Sequence, residues 1–353
     1  MGVSSYNQEK KGGIMLMFSL DTDSSLAQAL ASQLGVPLAP HEHRVFEDGE
    51  HKLRPLVDPR GRDAYVLHSL YGEPLCSPQD KLLQLLVFVA ALRDHGAARV
   101  SAVLPYLAYA RKDRQTKPFD PLTLRYVAQL FEAVGTAQCL VLEAHNVAAF
   151  QNAFRIPSVH IEAHRVLEPQ VLARVGQAAL AVASPDPGGV KRAQLWRESL
   201  AQTLQRPVGF AMVDKRRSAG VLSSDKLVAG EVAGLTVLLL DDLIASGDTL
   251  RRAARALMQA GAKEVLACAA HGLFTRRAAD ALADDAISSL IVSDSVPPFR
   301  LPQHAAVRAK LSVASAAGLF APAISARHLA WRRYIFRPPP VRRRHSVAPG
   351  ASS

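Results

Sequence analysis

The 353-residue sequence predicts an α/β protein made of two similar halves, each a mainly parallel sheet flanked by helices. Three observations lead there. Short runs of branched apolar residues alternate with helical segments of roughly 10–15 residues, the pattern of parallel strands joined by crossovers. The alternation restarts near residues 155–162, and the chain exceeds a typical single domain in length. Polar clusters follow the apolar runs directly, at the strand ends where open parallel sheets bind ligands.

Each element has a local reason. Residues 1–13 carry no apolar period and are expected to be a disordered lead. Residues 14–18 form an apolar strand, and 25–34 an amphipathic helix closed by Gly35. Residues 63–67 are a strand. Ser77, Pro78 and Asp80 mark a helix start, with an N-cap, a proline at the first helical position and an acid in the first turn. That helix runs to about residue 95 and ends at Gly96. Residues 99–104 are the next strand. Asp120 and Pro121 are expected to open a helix over 122–134, and 139–142 is a strand ending at Glu143-Ala-His145. In the second half, 179–183 reads as a strand, although the alanine-rich stretch 167–183 also allows helix up to the turn. The turn itself, 184–189, holds Asp186 and two glycines. A helix over 190–204 follows, then a strand over 208–213 ending at Asp214-Lys215-Arg216-Arg217. The final repeat is strand, turn, helix and strand, from Val237 to 269.

Composition excludes several classes. No apolar run reaches the roughly 18–20 residues of a membrane span, and the N-terminal segment lacks the apolar core of a secretory signal. Cys76, Cys139 and Cys268 are far apart, read as reduced thiols of a cytoplasmic protein, and have no zinc-site spacing. The net charge of +11 is uneven: seven arginines and no acid follow residue 326, which leaves +4 for the rest. The body is therefore only mildly basic, as suits small anionic substrates, and nucleic acid is not an expected partner. Residues 329–353, rich in Pro, Arg and Ser, are expected to be a solvated, disordered tail.

The most informative stretch runs from Val237 to Thr249. A buried strand delivers Asp241 and Asp242 to its tip, and a turn with Ser246, Gly247 and Thr249 leads into a helix N-terminus. Free amides and two hydroxyls suit a monoester phosphate; the carboxylates suit vicinal sugar hydroxyls. Ordinary helix capping by Asp is the plainer alternative for this segment alone. Asp248 lies close to the phosphate position and is expected to turn away and cap the helix.

Taken in order, the motifs resemble those of the ribose-phosphate diphosphokinase (PRPP synthetase) family, on the type I phosphoribosyltransferase fold. The matching pieces are Phe46-Glu-Asp48-Gly-Glu50, Pro105 to Arg114, His145 with Gln151 and Phe154, Ser184 to Arg192, Asp214 to Arg217, the Asp241–Thr249 loop, and His271-Gly272-Leu-Phe274. The resemblance implies transfer of diphosphate from MgATP to the C1 hydroxyl of ribose 5-phosphate. By resemblance, Asp241, Asp242, Ser246, Gly247 and Thr249 bind ribose 5-phosphate, and His145 and Asp186 bind Mg²⁺. Phe46, Asp48, Glu50, Arg111, Lys112 and Asp113 contact ATP, while Lys215 and Arg217 are the catalytic cations. It implies an ATP-side domain over 14–157, a ribose 5-phosphate-side domain over 158–302, a helix over 303–328 returning to the first domain, and a homo-oligomer. Two rival readings remain at this point: a non-catalytic relative that regulates an enzyme, and a phosphoribosyltransferase that consumes PRPP. Retention of the whole set of charged residues opposes the first. The two-domain length and the Phe46–Glu50 and Tyr109–Arg114 pieces oppose the second.

Overall fold

The computed structural model describes residues 15–335 apart from 22, 215, 216, 219, 220, 223–226, 276, 302 and 303. The expected lead 1–13, Lys215 and residues 336–353 of the expected tail lie outside the described residues.

The elements, in chain order, are β1 (Met15–Ser19), α1 (Ser25–Leu34), β2 (His41–Val45), β3 (His51–Pro55), β4 (Asp63–Leu67), α2 (Pro78–Asp94), β5 (Arg99–Leu104), α3 (Thr123–Ala133), β6 (Gln138–Leu142), α4 (Val147–Ala153) and β7 (Ser158–Ile161). They continue with α5 (His164–Val175), β8 (Leu180–Ser184), a single 3-10 turn Pro187–Gly189, α6 (Val190–Leu204), β9 (Gly209–Asp214), β10 (Arg217–Ser218), β11 (Val221–Leu222) and β12 (Leu227–Ala229). The last are β13 (Thr236–Ile244), α7 (Asp248–Gln259), β14 (Glu264–Gly272), α8 (Ala278–Leu282), β15 (Ser289–Ser293), α9 (Ala305–Lys310), β16 (Leu311–Ala314) and α10 (Ala317–Ile335).

Two sheets organise these elements. The first has the order β1-β4-β5-β6-β7, with every pair parallel. The second has the order β12-β9-β8-β13-β14-β15-β16, parallel except for the β12 edge. Strand order reverses between β8 and β13, which makes the crevice at their carboxyl ends a topological switch point. Each sheet is buried on both faces. Residues of α2, α3 and α4 cover one face of the first sheet; α1 and α10 cover the other. In the second sheet α7 and α8 cover one face, and α5 and α6 the other.

Most sequence-predicted boundaries hold for local reasons. Gly35 closes α1 at φ 63°, and Ser77 and Asp80 form a complete capping box on α2. The expected strand at 179–183 is present as Leu180–Ser184, because α5 stops before Gly176.

Four expectations change. Asp120 does not open a helix. Its carboxylate accepts from the amides of Thr116 and Lys117, the Thr116 hydroxyl and Lys112 Nζ, so it closes its own loop, and α3 begins at Thr123 without a side-chain cap. The division at 157/158 cuts through the first sheet, since β7 pairs with β6 and so belongs to the first half. The segment 303–328 is not one helix: it holds α9, the edge strand β16 and only the first part of α10. The tail does not begin at 329, because α10 continues to Ile335. Its inner face carries Ala317, Phe320, Ala321 and Ile324, at helical spacing, against Met17, Leu26, Leu30 and Tyr65. The same face then offers His328 and Trp331. Asp63, fully buried, accepts two bonds from Arg99 (2.8 and 2.6 Å) and one from His328 Nδ1 (2.8 Å), and the Trp331 ring lies 5.3 Å from the Arg99 guanidinium. The antiparallel hairpin β2–β3 is an addition that sequence periodicity did not anticipate.

A chain ending at residue 335 should melt like the full chain. One ending at residue 326 should lose roughly 1–3 kcal/mol, because a buried carboxylate forfeits a charged hydrogen bond along with the last helical turns. Equal melting temperatures for the two truncations would show that the Asp63 network holds nothing.

Candidate active site

The carboxyl ends of the two sheets meet. β6 ends at Leu142, and Glu143, Ala144 and His145 follow it. β13 carries Asp241 and Asp242, and Leu239 pairs with Ala183 of β8, so Asp241 stands level with the turn that follows β8. Across the seam His145 Nδ1 donates to Asp242 Oδ2 at 2.5 Å. Arg192 of α6 donates through Nε to Glu143 Oε1 (2.7 Å) and through its terminal nitrogen to the His145 carbonyl (3.1 Å). His271, at the end of β14, contacts the Glu143 carbonyl at 3.2 Å and the Ser295 hydroxyl at 2.8 Å. A small cleft between the halves is lined by Tyr106, Arg111, Glu143, His145, Asp242 and His271, among others.

Three non-glycine residues at or near this cleft adopt positive φ: Tyr109 (64°), Glu143 (42°) and Phe274 (43°). Such backbone persists only where surrounding contacts over-determine it.

The electrostatics are asymmetric. Burial alone would push Asp242 up, but the hydrogen bond from His145 and the charge of Arg192 more than offset it and hold the carboxyl well below its usual range. Burial and the neighbouring Asp242 push Asp241 well up. The hydrogen bond to Asp242 raises His145 against the effect of burial. Asp242 is therefore the standing anion of the pair, and Asp241 is the one that takes a proton more readily.

The loop after β13 has the features of an anion site. Gly247 lies at φ 75° and precedes α7, and no side chain caps that helix. Its first amides therefore lack intrahelical partners, beyond a 3.4 Å contact from the Asp248 amide to Ser246 Oγ. Asp248 pairs with Arg251 (2.7 Å) and does not make the expected helix cap. A Cβ at Gly247 would meet Leu282 Cγ at 3.1 Å and Ala281 Cβ at 3.2 Å.

Of the sequence-predicted site residues, Arg111, His145 and Asp242 line one cleft, while Ser246 and Gly247 lie in the loop that leads into α7 and Thr249 in its first turn. Asp113 reaches toward the same region, accepting from Asn146 Nδ2 at 2.7 Å. Lys112 is instead ion-paired to Asp120 at 3.1 Å. Phe46, Asp48 and Glu50 sit at the β2–β3 tip and do not line the cleft. There Phe46 is 39% exposed with Arg44 over its ring at 4.9 Å, and Asp48 accepts the Glu50 amide. Arg217 lies in β10, of which only the backbone is described. Asp186 accepts from the amides of Gly188 and Gly189 with the same oxygen, Oδ1, leaving Oδ2 outside the turn. His145 likewise commits Nδ1 to Asp242 and leaves Nε2. Among the described residues no three His, Cys, Asp or Glu side chains group as a metal cage. A hard ion such as Mg²⁺ takes oxygen ligands and keeps several waters, so it could draw on single donor atoms of this kind; Asp186 does not line the cleft beside His145. Glu143, Arg192 and His271 were not anticipated as site residues. Arg192 and His271 lie within matched motifs and Glu143 at a polar strand end, but nothing local in the sequence signals their mutual contacts.

The site stands at the switch point of the second α/β half, where open parallel sheets place the ligand sites of α/β enzymes. Comparison with known proteins narrows the class. The N-terminal domain of ribose phosphate pyrophosphokinase matches residues 15–135, and the phosphoribosyl transferase domain matches residues 161–296. A ribose-phosphate pyrophosphokinase of Gloeobacter violaceus is 36% identical over 80% of this chain and 81% of its own. One from Caldanaerobacter subterraneus is 34% identical over 87% and 93%. The crystal structure of phosphoribosylpyrophosphate synthetase from Mycobacterium smegmatis superposes with a TM-score of 0.79 at 30% identity, covering 90% of this chain and 99% of that one. The chain belongs to the ribose-phosphate pyrophosphokinase family. No helix among the described residues is long and apolar enough to cross a membrane.

Gly247→Ala should cost at least about 1 kcal/mol, because alanine pays for the left-handed backbone and its methyl meets α8. Ribose 5-phosphate affinity should fall with it, as read by thermal melts and calorimetric titration. An alanine variant with unchanged melting and affinity would mean that this turn is not a phosphate cradle.

Proposed function

We propose that this chain transfers a diphosphate group from ATP to the C1 hydroxyl of ribose 5-phosphate, releasing AMP and PRPP. The observation that carries the reading is the pairing, at one switch point, of an uncapped helix N-terminus with two carboxylates of opposite protonation tendency. The free amides at the start of α7, with Ser246 and Thr249, hold the 5-phosphate. Asp241 and Asp242 accept from the ribose hydroxyls and so fix the sugar ring, which sets the C1 hydroxyl toward the seam. Arg111 approaches from the first half and offsets phosphate charge in the cleft. His145 Nε2 and Asp186 Oδ2 are the donors that would hold Mg²⁺, which shields the phosphates of bound ATP.

Transfer to the β-phosphorus needs two polyanions held in line, with cations placed where charge develops, and no covalent nucleophile. Lys215 and Arg217 supply those cations in this reading, which rests for them on family resemblance. They follow β9 directly, and β9 neighbours β8 in the sheet. The exposed Phe46 tip offers a ring face for adenine, with Asp48 and Glu50 as acceptors for its amine. The tip stands apart from the cleft, which favours service to a second copy of the chain, and hence a homo-oligomer. Lys112 joins the ATP phosphates only by giving up Asp120.

Incubation of the protein with ATP, Mg²⁺ and ribose 5-phosphate should release AMP and PRPP in equal amounts, and omission of the sugar phosphate should abolish release. Asp242→Asn should lower turnover by about 10²-fold or more, since it removes both a sugar acceptor and the partner of His145. Absence of ribose-dependent AMP from folded protein would favour the non-catalytic alternative.

A further inference from the structure

We propose that Arg192 is a positioning residue for the His145–Asp242 pair, with Glu143 as its counter-anchor. Only the kinetic part of the test rests on the function proposed above. Arg192 does not line the cleft. It lies behind the cleft, with a side chain 17% exposed against a Glu143 that is 7% exposed. One guanidinium holds both ends of a three-residue strand tip: Nε bonds the Glu143 carboxylate, and the terminal nitrogen bonds the His145 carbonyl. Arg192 comes from the second half and the strand tip from the first, so the fork ties the imidazole of one half to the frame that carries Asp242.

Glu143 is anchored in four directions. Its amide donates to the Ile161 carbonyl (2.8 Å), its Oε2 accepts from the Ala163 amide (2.9 Å), its Oε1 accepts from Arg192, and its carbonyl meets His271. This is what holds a non-glycine residue at φ 42°. Both carboxylate oxygens act as acceptors, so glutamine, with one oxygen and one amide donor, satisfies only one partner. Lysine in place of Arg192 keeps the charge but loses the fork, and reaches one acceptor at a time.

The test uses Arg192→Gln, Arg192→Lys, Glu143→Gln and the Glu143→Gln/Arg192→Gln double variant. Amide deuterium uptake over residues 138–146 should rise in Arg192→Gln, with uptake over 236–244 unchanged. Turnover should fall roughly 10–100-fold while the equilibrium affinity for ribose 5-phosphate stays within about 3-fold. Lysine should recover only part of the loss, and the double variant should be no worse than the worse single one. Unchanged uptake over 138–146 would overturn the proposal. So would an affinity loss that matches the turnover loss, which would mean direct contact with the sugar phosphate, or strictly additive effects of the two substitutions. An inactive parent enzyme would strike the proposed function alone, because the exchange measurement reads the clamp without turnover.

Discussion

One imidazole–carboxylate contact, His145 on Asp242, joins the carboxyl ends of two sheets, and the geometry of the cleft follows from where those ends meet. Each half alone would be an ordinary α/β layer with polar residues at its strand ends. Brought face to face, the halves put an uncapped helix start and two acids on one side, and a histidine and an arginine on the other. The seam is held by further contacts beside and beyond the cleft. Ser69 donates to the Ser295 carbonyl, Arg300 bonds the Gly72 carbonyl, and α10 returns to cover the first sheet. A two-substrate transfer needs such a fixed seam, because a small error in the approach of two phosphates costs rate steeply.

Charge explains why the site tolerates so many acids. Asp241, Asp242 and Glu143 crowd one region, and two carboxylates on adjacent residues cannot both ionise freely. Arg192 faces all three, lowers both aspartates and is itself raised, with Glu143 the largest favourable influence set against burial. Asp242 keeps its charge because His145 and Arg192 together outweigh burial. The first half repeats this arrangement in miniature. Asp21, its side chain 9% exposed, accepts from His68 (2.8 Å) and the Ser69 amide (2.9 Å), with Lys81 at 3.4 Å, and these outweigh the effect of desolvation and hold its carboxyl below the usual range.

Much of this was legible in the sequence because the determinants are local. The capping box at Ser77, the left-handed Gly35 and the apolar runs of β4, β5, β8 and β13 each report on their own few residues. The Asp241–Thr249 loop was legible for the same reason. The hairpin β2–β3 was not, because its strands are polar on both faces and only Leu53 is buried, so no period of two appears. The last turns of α10 are not legible because Arg327, Arg332 and Arg333 break the apolar period there, and His328 and Trp331 find their partners only against the first half. The Glu143–Arg192–His271 contacts span 49 and 128 residues, and such pairings exist only once both sheets are assembled. Asp120 was misplaced because an Asp-Pro pair reads as a helix start, whereas here four donors in its own loop claim the carboxylate.

The most direct measurement is a crystal of this protein soaked with ribose 5-phosphate alone. The phosphate should lie on the amides after Gly247 with Ser246 and Thr249, the ring hydroxyls on Asp241 and Asp242, and the C1 hydroxyl turned toward His145. A sugar phosphate bound elsewhere, or one that leaves Asp241 and Asp242 without a hydroxyl while the phosphate loop stands empty, would contradict it.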